Sequence, residues 1–158
     1  MSRRELLEAL DEARSRASSG APDPAAVAPL LLRILTEAAT TDEVTSGLSD
    51  VPESRALLRV TDAAAAIEFQ AGGGRLHAEA SEVRGRGPKV DATGATWLGL
   101  LGGTLRPWLA FTRGLVVCRA GLTELRWMQT VAERLQRGYE LARTAAGAQP
   151  TQENERRS

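Results

Sequence analysis

From Ser54 onward the apolar period of this chain changes from three-or-four to two, and that change decides what it can fold into. Before Ser54, Leu6, Leu7, Leu10, Ala13 and Ala17 form one helical stripe, and Val27, Leu30, Leu31, Ile34, Leu35 and Ala38 form a second. After it, Leu58 and Val60 alternate with Arg59 and Thr61, and Ile67 and Phe69 with Glu68 and Gln70. Beyond Gly72-Gly73-Gly74, Leu76, Ala78 and Ala80 alternate with Arg75, His77 and Glu79; Val90 and Ala92 continue the pattern past a polar stretch. Alternating strands have one wet face and one that needs a cover. Helices are therefore required on one side of the sheet.

Local signals place those helices. Ser2-Arg3-Arg4-Glu5 has capping-box spacing for the first. Gly20-Ala21-Pro22-Asp23-Pro24 breaks it, and Pro24 suits the first turn of the second, although Pro29 allows a start as late as itself. Residues 40–54 give mixed signals and read as mostly loop. In "GLLGGTLRPWLAFTRG", Gly99 to Gly114, bulky side chains sit on short pieces of chain. Thr96 to Leu101 reads as a short helix stopped by a left-handed cap at Gly102-Gly103. Thr104 can cap another, carrying Trp108, Leu109 and Phe111 and ended by Gly114. Leu115 to Arg119 is a fifth strand. Thr123 then caps a final helix with Leu125, Met128, Val131, Ala132, Leu135 and Tyr139 on one face.

The fold class expected is α+β: a five-stranded, mostly antiparallel sheet covered on one face by helices, with two N-terminal helices and a C-terminal helix. The divisions are 1–53, an N-terminal helical segment, 54–142, the core, and 143–158, a polar tail expected to be disordered.

Composition removes several functions. Twenty basic residues balance twenty acidic ones, which argues against a nucleic-acid grip or a polybasic membrane patch. Lys89 is the only lysine, a bias that fits a GC-rich genome better than a phosphate-binding set. The single Cys118 excludes an internal disulfide and fits a reducing compartment. No run approaches a membrane span and no signal-type apolar stretch opens the chain. The expected place is the cytoplasm, with no integral membrane association.

Catalytic equipment is sparse. The alternation puts His77 on the wet face of its strand, and Cys118 sits among apolar neighbours as a small buried hydrophobe. One His and one Cys do not supply the three or four N/S ligands zinc normally takes. Neither a Gly-x-Ser-x-Gly elbow nor a phosphate loop is present. The expectation is no enzyme, no metal and no cofactor. Binding is better supplied: Trp97, Leu98, Leu100, Leu101, Leu105, Trp108, Leu109 and Phe111 exceed what two short helices need for one buried stripe. They either complete the core or wall a cavity for an apolar ligand. The small inward residues Ala78, Ala80 and Ala92 favour the cavity by leaving room beneath.

Two segments carry a family resemblance: "LLRVTDAAAAIEFQAGGGRL" and "KVDATGATWLGLLGGTLRPWLAFTRGLVVCRAGLTELRWM". A glycine-closed hairpin, the Asp91-Ala92-Thr93 strand, the Gly102-Gly103 stop, the Arg113-Gly114 bracket and Gly121 follow one another as in the sterol carrier protein family. The chain resembles that family over about residues 54 to 141, and its paired leading helices resemble those of actinobacterial members. These motifs speak more for fold than for function. The resemblance implies a hydrophobic tunnel for lipids, acyl chains or sterols and no catalytic residues. By their place on the covering helices, the implied tunnel residues are Trp97, Leu101, Trp108, Phe111 and Met128. Two tryptophans there would narrow the tunnel against a sterol-sized ligand. The partner expected is an apolar small molecule, with a homodimer left open. The rival reading is a dimerisation or scaffold module of the same fold with a filled core and no ligand.

Overall fold

The computed structural model describes residues 2–19 and 23–157, with side chains described from Arg3 to Gly147 outside that gap. The chain runs α1 (Ser2–Ser18), α2 (Pro24–Ala38), α3 (Asp42–Thr45), a 3-10 turn (Ser46–Leu48), β1 (Ser54–Val60), β2 (Ala65–Gly72), β3 (Arg75–Ser81), β4 (Lys89–Ala92), α4 (Gly94–Gly102), α5 (Pro107–Thr112), β5 (Val117–Arg119) and α6 (Leu122–Arg157). The strands form one sheet in the order β3-β2-β1-β4-β5. Only the β1–β4 pair is parallel; the other three are antiparallel. The fold is α+β, as the change of period requires.

Register sorts the two faces. Leu58 stands opposite Ile67 on one side and Val90 on the other, and Val90 stands opposite Cys118. This row lies under the helices. α2 lies over β1, β2 and β3, whereas α6 touches the sheet at β1. The opposite face carries Arg55, Glu68, Gln70 and His77 in the same alternation. Leu57 also points that way yet is 3% exposed, because the β3–β4 loop folds over it at Gly85.

α1 and α2 form the most deeply buried part of the cover. Leu6, Leu10, Val27 and Ile34 are inaccessible to solvent. α2 begins at Pro24, with the Asp23 carboxylate accepting from the Ala25 amide at 3.1 Å, so Pro29 lies inside it. Pro29 is tolerated because the carbonyl it leaves unbonded belongs to Ala25, which is exposed to water. α1 already includes Ser2, and residues 20–22 of the expected break lie outside the described residues.

Other boundaries differ from the sequence reading. Residues 40–54 contain α3 and a 3-10 turn, since Val44, Leu48 and Val51 are buried against neighbouring elements. Thr104 does not cap α5: its hydroxyl donates to the Gly99 carbonyl at 3.3 Å, and α5 starts at Pro107 after an extended Arg106. The fifth strand is only Val117–Arg119. α6 starts at Leu122, before Thr123, and is helical to Arg157, past the tail boundary expected after Ala142. Ala142, Ala145 and Ala146 are strong helix formers and extend the helix past that point; side chains from 148 onward lie outside the described set.

The Gly102-Gly103 stop is real and does two things. Gly103 takes the left-handed conformation, φ 78°, and closes α4. Gly102 lets α1 approach: a Cβ there would lie 2.8 Å from the Arg14 Cα. Gly102→Ala should force α1 and α4 apart and lower stability by roughly 1–3 kcal/mol, read by chemical denaturation. An unchanged midpoint would show that this approach is not tight.

On the open face the sheet holds a buried charge. Asp91, 7% exposed, accepts from Arg59 Nε and Nη2, both at 2.5 Å, and from Arg119 Nε at 3.0 Å. The Arg59 guanidinium, and then that of Arg119, holds its carboxyl below the ordinary value against the opposing effect of burial. A depressed folded pKa means the stabilisation is present above the unfolded value of about 4 and is lost as pH falls through the folded value. Asp91→Asn should therefore lower neutral-pH stability by roughly 3–5 kcal/mol, leaving Arg59 unpaired, and should flatten the acid limb of the stability profile. Arg119→Ala, whose side chain is mostly exposed, should change stability by no more than ~1 kcal/mol.

Candidate functional site

The space between the covered sheet face and the helices α4, α5 and α6 is not filled. A pocket of about 980 Å³ lies there, at the upper end of the ~300–1,000 Å³ usual for small-molecule sites. Its floor is Ala56, Leu58, Phe69 and Val90 from the sheet, and Leu31 and Leu35 of α2 reach it. The opposite wall is α6, which contributes residues from Leu125 to Arg143.

α6 is held across this space at several points by hydrogen bonds. The Trp127 indole N–H donates to the Pro52 carbonyl at 2.8 Å, and its ring lies 6.2 Å, centroid to centroid, from that of Phe69. Arg134 donates to the Gly47 carbonyl at 3.0 Å and to both oxygens of Asp50, at 2.6 and 3.1 Å. Gln136 donates its amide N–H to the Leu100 carbonyl at 2.6 Å. The helix spans the gap; it does not collapse into it.

All five residues singled out in the sequence line this pocket: Trp97, Leu101, Trp108, Phe111 and Met128. They differ in environment. Trp97 and Leu101 are each 7% exposed, and the Trp97 indole N–H is tied to the Arg59 carbonyl at 3.0 Å. Trp108 is 62% exposed and Phe111 42%. The bulky apolar set therefore divides, α4 completing the core and α5 standing at an open rim. Trp108, on the rim, leaves the interior open. Met128 is half-buried on α6.

One expectation about the interior is corrected. Ala78, Ala80 and Ala92 are not in the lining: Ala92 is buried elsewhere, Ala78 is half-buried and Ala80 is exposed on the edge strand. α2 covers β3, so the open volume lies over β1, β2, β4 and β5. Trp127 is the residue missed by the sequence reading. Its spacing to Val131, four residues on, is the signal, since both are buried and both line the pocket.

Burial, and then the Asp91 charge, pushes the Cys118 thiol up, so it is held as a neutral thiol. Burial likewise raises the Tyr139 phenol. His77 is exposed on the opposite sheet face, 3.8 Å from Glu79, and is not in the lining. Among the described residues no group of three His, Cys, Asp or Glu side chains is placed to hold a metal, and no helix is long and apolar enough to cross a membrane.

No protein-family model matches the sequence, and no curated protein matches it. Solved structures do. The crystal structure of a sterol carrier protein 2 superposes with a TM-score of 0.53 at 23% identity, covering 65% of this chain and 88% of that one. A solution structure from Thermus thermophilus, described as possibly a sterol carrier protein, gives 0.48 at 23% identity over 65% of this chain and 82% of its own. A ubiquinone synthesis protein with the same kind of domain gives 0.46 at 9% identity over 72% and 93%. The first of these shows that the chain has the sterol carrier protein fold.

The rim and the wall should separate in mutants. Trp108→Ala should change stability by no more than ~0.5 kcal/mol, as an exposed substitution does. Trp127→Ala should cost roughly 3–5 kcal/mol, measured on the same denaturation curves. Equal losses would place Trp108 in the core.

Proposed function

We propose that the chain is a non-enzymatic binder or carrier of an apolar, lipid-like ligand, a fatty acyl chain or a molecule of sterol type, held between the sheet and α4–α6. The single observation that supports this is the pocket itself, about 980 Å³ with apolar walls from sheet, α2, α4, α5 and α6. The likeness to a sterol carrier protein 2 in fold adds to it. Withdrawal of alkyl surface from water at ~25 cal/mol per Å² would drive binding. A neutral Cys118, and a His77 away from the lining, fit a site without turnover, and a reducing cytoplasm suits the lone thiol. The rival scaffold reading calls for a filled core, and the open volume weighs against it.

Trp97, Trp108 and Trp127 all border the pocket, so intrinsic fluorescence is a direct probe. Titration with palmitate or a sterol should change it saturably, near one ligand per chain, with affinity around micromolar, ~8 kcal/mol. Native mass spectrometry of the purified protein should find co-purified lipid. No fluorescence response to either class and no retained lipid would overturn the proposal.

A further inference from the structure

The pocket is not apolar throughout. Where α1, the end of α4 and α6 meet, two guanidiniums converge on one point. A Cβ placed on Gly103 would stand 3.6 Å from Arg14 Nη2 and 4.0 Å from Arg143 Nη1. Both arginines line the pocket. Arg14 is fixed there by its Nε, which donates to the Gly102 carbonyl at 2.9 Å. Arg143 has no such anchor: its Nη2 is buried and has no hydrogen-bond partner among the described residues. Neither arginine forms an ion pair with a described carboxylate.

Arrangements of this kind cost free energy when empty. Like charges held close repel, and a buried guanidinium N–H without an acceptor forfeits its hydration. Burial first, then the Arg14 charge, lowers the Arg143 pKa from its ordinary value, while Asp11 and Glu140 act in the opposite sense. Arginine remains charged regardless. An anion between the two would relieve both penalties at once, and guanidiniums match carboxylate oxygens in geometry. Arg106 and Arg137 also border the pocket, but neither buries an unpartnered nitrogen or stands at Gly103.

We propose that Arg14 and Arg143 form the head-group end of the pocket and take the carboxylate of a long-chain fatty acid whose alkyl chain lies along α6. The proposal rests on the lipid-binding reading above and narrows it to an amphiphile with one negative end. α6 supplies the length: from Met128 to Arg143 it advances about 22 Å at 1.5 Å per residue. The chain end would lie by Trp127 and Met128 over Phe69, the carboxylate by Gly103.

The test compares palmitate with 1-hexadecanol, equal in chain length and different in charge, on the full chain at neutral pH. Wild-type protein should bind palmitate about ten- to hundredfold more tightly. Arg143→Gln and Arg14→Gln should each reduce that preference with hexadecanol affinity unchanged, and Arg143→Lys should restore part of it. Should Arg143→Gln fail to fold by circular dichroism, the exposed Arg14→Gln carries the comparison. Equal wild-type affinities, or a preference that survives in the variants, would overturn the head-group assignment and leave lipid binding standing. Binding of neither ligand to the wild type would overturn the lipid-binding reading and this one with it.

Discussion

The structure depends on α6 being held off most of the sheet, which it meets at β1 and through the Trp127 ring against Phe69. A helix with an apolar stripe normally descends until that stripe is buried, because apolar surface left against water is unfavourable. α6 is stopped short by polar ties at fixed heights: Trp127 to Pro52, Arg134 to Gly47 and Asp50, Gln136 to Leu100. Close approach to α3 sets the spacing further along, since a Cβ on Gly138 would lie 2.9 Å from the Val44 Cα. With these supports in place, Leu125, Met128 and Leu135 are left only partly buried, bordering a void. The short α3 and 3-10 turn, unremarkable as sequence, thus supply two of the supports under α6, at Val44 and Gly47.

Much of this is legible in the sequence because it rests on period and on glycine. Alternation locates four strands of the sheet to within about two residues, and Gly102-Gly103 marks the end of α4. The five residues expected along a tunnel do border one pocket. What stays hidden is three-dimensional. Nothing in one dimension says that α2 lies over β3, so the small residues Ala78 and Ala80 suggest room on the wrong part of the sheet. Nor does periodicity distinguish Trp97, tied to a strand carbonyl, from Trp108, standing in solvent; both simply occupy apolar positions on short helices. The Arg14–Arg143 pair is invisible for the same reason, its members lying at opposite ends of the chain. Residues 40–54 mislead because a four-residue helix is too short to show a period.

The distribution of burial explains how a domain of this size tolerates so large a pocket. Among the described residues, the largest fully buried side chains belong to α1, α2, the α3 region, the strands and Leu98 of α4, with none from α5 or α6. Stability is thus concentrated in the half of the molecule built on the two N-terminal helices, where Gly102 admits α1 against α4. The half that surrounds the pocket carries Trp108, Leu109, Phe111, Leu115, Val117 and Leu122 in exposed positions. Free energies of local opening follow that division, since regions with few buried contacts open well below the global unfolding energy. α5 and the flanking Leu115, Val117 and Leu122 therefore belong to the half with less burial, and the α1–α2–sheet half to the one with more. Any molecule bound in that less buried half would add its binding energy to it, by mass action on the folded form.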